Sequence, residues 1–132
     1  MKLKALLLCD DIRFEIGGTV TLVGVYNERL IVPPGDGAIE VPRFAFLAVI
    51  GGLRGVEEIG FRQWIRSGEG DPADRPLALE PHDPENDEHS FAFTQAPMVF
   101  PGVGAYEVGI DVEVRGRRQG YRYAFSIERR PS

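Results

Sequence analysis

The side chains that could do chemistry fall in three places. The first is Cys9-Asp10-Asp11-Ile12-Arg13. Paired carboxylates supply hard oxygen ligands for a divalent cation. Neighbours in a strand point to opposite faces, so Asp10 and Asp11 converge only if the chain turns between them. The competing reading is a turn in which an Asp accepts a backbone hydrogen bond and Arg13 faces a carboxylate. Cys9 as a nucleophile would need a base and an electropositive setting. Two flanking Asp oppose its thiolate. The second place is His82-Asp-Pro-Glu-Asn-Asp-Glu-His89. His82, Asp83, Asp87 and His89 are candidate metal ligands, yet the spacing matches neither an EF-hand nor an H-E-x-x-H helix. The run reads equally as a solvated acidic loop, and no cofactor is expected.

The third place is Arg62, Trp64 and Arg66, on one strand face opposite Ile59, Phe61 and Ile65. If the apolar set faces the core, Trp64 stands exposed between two guanidiniums. Trp and Arg are favoured interface anchors. The competing reading packs Trp64 on the sheet surface in a cation–π contact or under a loop.

Catalytic motifs are missing. There is no G-x-S-x-G, no P-loop and no G-x-G-x-x-G leading into a helix. Both histidines lie in the acidic run, and nothing favours a triad built on them. The expectation is therefore a protein without catalytic activity.

These residues must be positioned by a chain of 132 residues, enough for one domain spanning 1–132 with a sizeable core. The single Cys cannot form an internal disulfide or a thiolate zinc site alone, which fits a reducing compartment. The Met1-to-Cys9 stretch has a signal-like start. Its apolar run Ala5–Leu8 is too short for a signal core, so it reads as a first strand and the location as cytoplasmic. No run approaches a transmembrane helix, and no membrane contact is expected.

The net charge of −5 disfavours polyanion binding, and no nucleic-acid partner is expected. Charge is unevenly placed. Residues 69–89 carry eight acids against Arg75, a net of −7, whereas residues 115–130 carry six Arg against Glu128, a net of +5. Such patches can steer a protein partner or a second copy, or simply keep the chain soluble.

The dominant hydrophobic period is two. Val20, Leu22 and Tyr26 fall on one face. Phe44 to Ile50 is apolar on both faces, the mark of a strand covered on both sides. Tyr106, Val108, Ile110, Val112 and Val114 alternate with polar residues, and Tyr121 to Ile127 repeats the pattern after a polar loop at 115–120. No window has helical spacing. Residues 33–42 and 67–90 read as loops, the latter interrupted by a short edge strand at Leu77–Leu79. Seven to nine short strands predict an all-β, antiparallel β-sandwich.

Two resemblances add to this reading. Phe100-Pro-Gly-Val-Gly-Ala-Tyr106 before an alternating strand resembles the tyrosine corner of immunoglobulin-like domains. The opening Cys9-Asp-Asp-Ile-Arg13, Gly17-Gly18 and Leu22-Val-Gly-Val-Tyr26 resembles the start of a bacterial family of small uncharacterised proteins with a CDD-x-R…GG…L-x-GVY pattern. That resemblance covers roughly the first half of the chain. It implies a small bacterial protein and assigns no catalytic residue. The functional expectation is a non-enzymatic module that binds a protein partner or itself. The alternative is a divalent-cation-dependent binding domain, with Asp10, Asp11 and the 83–88 loop meeting at one end of the sandwich.

Overall fold

A computed structural model describes residues 1–68 and 77–131. Of the acidic run, Glu69, Asp71 and Asp74 lie outside the described residues, as does Arg75. The chain is all-β, with antiparallel sheets and no helix among the described residues; none is therefore long and apolar enough to cross a membrane. The strands are β1 Lys2–Phe14, β2 Val20–Tyr26, β3 Arg29–Val32, β4 Ile39–Val41, β5 Phe44–Gly51 and β6 Glu58–Ser67. They continue with β7 Ala78–Pro81, β8 His89–Gln95, β9 Met98–Phe100, β10 Gly104–Val114 and β11 Arg117–Arg129.

Sheet A has the order β2-β1-β5-β8, and sheet B the order β3-β11-β10-β6-β7. The core lies between them. Leu8, Phe46 and Phe91 from sheet A meet Val108, Ile110 and Phe125 from sheet B, all buried. The pair β4-β9 closes one end, contributing Ile39, Val41 and Phe100 to the same core.

Four local features differ from the sequence reading. Eleven strands are seen among the described residues rather than seven to nine, because β3, β4, β7 and β9 are each four residues or fewer. One of them, β4, lies within the segment expected to be a loop at 33–42; Ile39 and Val41 pair with Phe100 and Met98 and bury their apolar side chains. Another, β3, pairs in parallel with β11, so the sandwich is not antiparallel throughout. The polar loop expected at 115–120 is also only a two-residue turn. The β10–β11 ladder runs to Val114↔Arg117, and Arg115 and Gly116 both take positive φ, 53° and 78°. Two left-handed residues match the twist of a hairpin, which the polar composition alone did not reveal.

Tyr106 bonds back to the turn that precedes its strand. The Tyr106 hydroxyl donates to the Gly102 carbonyl at 2.6 Å and accepts from the Gly102 N–H at 3.3 Å. Its ring lies in an aromatic cluster, 5.1 Å from Phe100 and 5.7 Å from Phe125 between centroids.

Nothing lies within 4 Å of where a Cβ on Gly116 would stand, so any loss in Gly116→Ala comes from the backbone alone. A non-glycine residue held at such a φ costs on the order of 1–3 kcal/mol. Chemical denaturation of Gly116→Ala is expected to show a stability loss in that range with an unchanged denaturant slope.

Candidate functional site

Asp10 and Asp11 do not converge. Asp10 turns to Tyr26, whose hydroxyl donates to it. Asp11 accepts from the Arg43 guanidinium at 3.0 Å and from the N–H of Ile12 at 3.0 Å, with Arg13 at 3.8 Å. The side chain of Asp10 lies over Gly24, where an added Cβ would collide with the carboxylate. Gly24 also sits at φ 65°, so both space and backbone select glycine there.

This crossing breaks the alternation of the β1–β2 pair. Tyr26 packs on the main core, but Val20 and Leu22 pack with a second cluster. The expected single face of Val20, Leu22 and Tyr26 is therefore split at Gly24. Cys9 and Ile12 share the second cluster for the same reason, since an unbroken period of two would separate them. Cys9 is fully buried and unpaired. Burial, then the charge of Asp10, pushes its thiol above the ordinary range, which keeps it protonated and unreactive.

Nor do the two acidic regions meet. Cys9 pairs with Ala45 and His89 with Ile50, so about 16 Å of strand separates Asp10 and Asp11 from the histidine loop. Asp83 accepts from the N–H of Glu85, and Asp87 and Glu88 reach Lys4. Among the described residues no group of three or more His, Cys, Asp or Glu could hold a metal ion. What the structure does bring together is His82 and His89, whose Nδ1 atoms are 2.8 Å apart, with Glu80 beside His89 at 3.2 Å. Glu80 was not singled out from sequence. Its two-residue spacing from His82 in an extended segment was the available signal, since i and i+2 share a face.

Trp64 is not an exposed anchor. It is 9% exposed and lies flat across Gly109, its register partner on β10, where a Cβ would fall inside the indole. The Arg62 guanidinium donates to Asp111 at 2.6 and 3.0 Å, and Arg66 donates to Glu107 at 2.8 Å while lying 5.5 Å from the Trp64 ring centre. The two ion pairs are made across the β6–β10 ladder, so the outer face of sheet B is internally paired. The basic C-terminal segment is similarly engaged: Arg115 binds the Gly55 carbonyl, Arg118 faces Glu113, and Arg129 donates to the carbonyls of Pro33 and Gly37.

The outer face of sheet A is different. Cys9, Ala45 and Leu47 are buried there, with Val49 and Ala92 packed beside them. Among the described residues, the members of this cluster come from β1, β2, β5 and β8. Leu7, paired with Leu47, is 39% exposed, and Val25, paired with Cys9, is 52% exposed. No charged residue occurs in 5–9, 45–49 or 90–94. At the margin of the sheet, Asp10, Tyr26, Val32, Ile39 and Pro42 also line a largely apolar cleft of about 590 Å³.

Compared with known protein families and with characterised proteins, the chain matches none.

Two outcomes follow from these contacts. Trp64 is the only Trp, so its emission reports directly on the Gly109 contact. Gly109→Ala is expected to lift the indole, red-shift the emission and lower stability by about 1–3 kcal/mol, the usual cost of overpacking. Burial first, then the hydrogen bond to Asp10 and its charge, holds the Tyr26 phenol well above its ordinary range. The folded state thus keeps Tyr26 neutral to higher pH than the unfolded state does. Its contribution is complete below the unfolded value of about 10 and is lost as pH rises beyond it. Denaturation series at alkaline pH should show a steeper loss for the native chain than for Tyr26→Phe.

Proposed function

We propose that this chain is a non-enzymatic protein-interaction module that covers the outer face of sheet A with a protein partner or a second copy. The observation that carries the reading is the contrast between the two outer faces. Sheet B closes its own face with ion pairs across the ladder. Sheet A carries a charge-free apolar cluster with a buried centre, and beside it Leu7 and Val25 are open to solvent. Contiguous apolar surface on a sheet is a mark of an interaction site. Edge strand β2 adds to this, because it contains no charged residue or proline to discourage strand pairing.

We further read the sandwich as immunoglobulin-like. In support, β6, β10 and β11 stand in the order of the C, F and G strands, and the Tyr106 hydroxyl bonds back to the backbone upstream of β10. The buried, unpaired Cys9 fits a reducing compartment such as the cytoplasm of a bacterium.

The test is a paired comparison of the native chain and the double variant Leu7→Lys/Val25→Lys. Native mass spectrometry and pull-down from source cells should give a multiple of the 14.6 kDa chain, or one retained protein, for the native form. The variant should keep its circular dichroism spectrum and lose the association at least tenfold. Association that survives in the variant, or a native chain that is monomeric and captures nothing, overturns the reading.

A further inference from the structure

We infer that β2 pairs antiparallel with β2 of a second copy about a twofold axis at Thr21, which joins two copies of sheet A into one continuous sheet. This rests on sheet A being the surface of association, as proposed above, and names both its occupant and the seam.

Sheet A ends in β2 and β8, and sheet B in β3 and β7. All of these edges but β2 are guarded. Strand β3 carries Arg29, which is paired to Glu128, and runs into Pro33-Pro34. Strand β7 carries Glu80 and Pro81. Strand β8 is tied to sheet B where Gln63 donates to the Phe91 carbonyl at 3.4 Å. Charge, proline and cover are what keep an edge from pairing. Among the described residues β2 has none of them.

The ladder to β1 decides which groups of β2 point to the edge. The Glu15 N–H donates to the Thr19 carbonyl at 2.9 Å, a bonded pair beside the turn. Bonded and non-bonded pairs alternate along an antiparallel ladder. Arg13–Thr21 is therefore bonded, and Phe14–Val20 and Ile12–Leu22 are not. Val20 and Leu22 thus turn their N–H and C=O away from β1. They stand on either side of Thr21, so a twofold there sets Val20 against Leu22 of the second copy and satisfies every one of those groups.

The side chains fit the same register. Val20 and Leu22 share the outer face with Ile12. Phe14 falls on that face too and is 68% exposed. Across the seam the row runs Phe14, Val20, then Leu22 and Ile12 of the second copy, apolar throughout. At each end the wholly exposed Ile16 of one turn comes alongside Val25 of the other copy.

Charge selects a second copy over an unrelated strand. A twofold sets the strand against itself, and like charges directly opposite destabilise a ladder. Residues 16–27 hold no charge at all. Pairing with an unrelated strand would impose no such condition.

The test uses the full chain. Sedimentation velocity over a range of concentrations should reach twice the 14.6 kDa mass. At the high end the amides of Val20 and Leu22 should exchange more slowly than at dilution. Thr21 is exposed, so Thr21→Lys and Thr21→Glu should keep the native circular dichroism spectrum. Each sets like charges across the axis and should weaken the dimer by about tenfold or more. An equimolar mixture sets Lys against Glu and should restore a mixed dimer. A chain that is monomeric at every concentration, Thr21 variants that associate as the native chain does, or a mixture that does not recover, overturns the inference. The interaction reading survives those results where the native chain still captures a protein that Leu7→Lys/Val25→Lys releases. A native chain that neither associates nor captures overturns both.

Discussion

Strand β5 has to be buried on both faces, and the rest of the structure follows from that requirement. Phe44, Phe46, Ala48 and Ile50 enter the main core, while Ala45 and Leu47 are buried on the other side. One sheet cannot cover both faces of its own central strand. Sheet B covers the inner face. Among the described residues, the outer face is packed by its neighbours in sheet A, which are small or apolar there. At roughly 25 cal/mol per Å² of apolar area removed from water, a further layer on that face would gain free energy. That is the physical basis of the proposed interaction.

The polar side chains are arranged around this asymmetry. On sheet B, Arg62–Asp111 and Arg66–Glu107 cross adjacent strands and frame Trp64 over Gly109. Both pairs are largely buried side chains, so they lose less to solvent screening than the exposed Arg118–Glu113 pair. On sheet A, charge collects at the ends, with Asp11, Arg13 and Arg43 at one and Lys4, Asp87 and Glu88 at the other. The apolar strip lies between.

The ends of the sandwich behave differently from one another. At one, an aromatic cluster of Phe44, Phe100, Tyr106 and Phe125 joins both sheets and the β4-β9 pair, and the Tyr106 hydroxyl ties in the turn before β10. At the other, the sheets are joined by the loop between β7 and β8, through backbone bonds to the 53–57 segment and the histidine pair. Packing holds the first end and hydrogen bonds the second.

Much of this was legible in the sequence. Alternation of Tyr106 to Val114 and Tyr121 to Ile127 determined the last hairpin, and the two-faced apolar run at Phe44–Ile50 determined a central strand, because strand periodicity depends only on local order. The Phe100–Tyr106 stretch pointed to a Tyr106 hydroxyl bonded back to the chain, a contact spanning only four residues. The fates of the candidate site residues were decided by tertiary structure. Asp10 and Asp11 diverge because Gly24 and Arg43 stand opposite them. Trp64 is buried because the β6–β10 register puts Gly109 beneath it. His82 and His89 meet because β7 and β8, in different sheets, end side by side. Each depends on pairing between residues distant in the chain, and composition and spacing hold no record of that register.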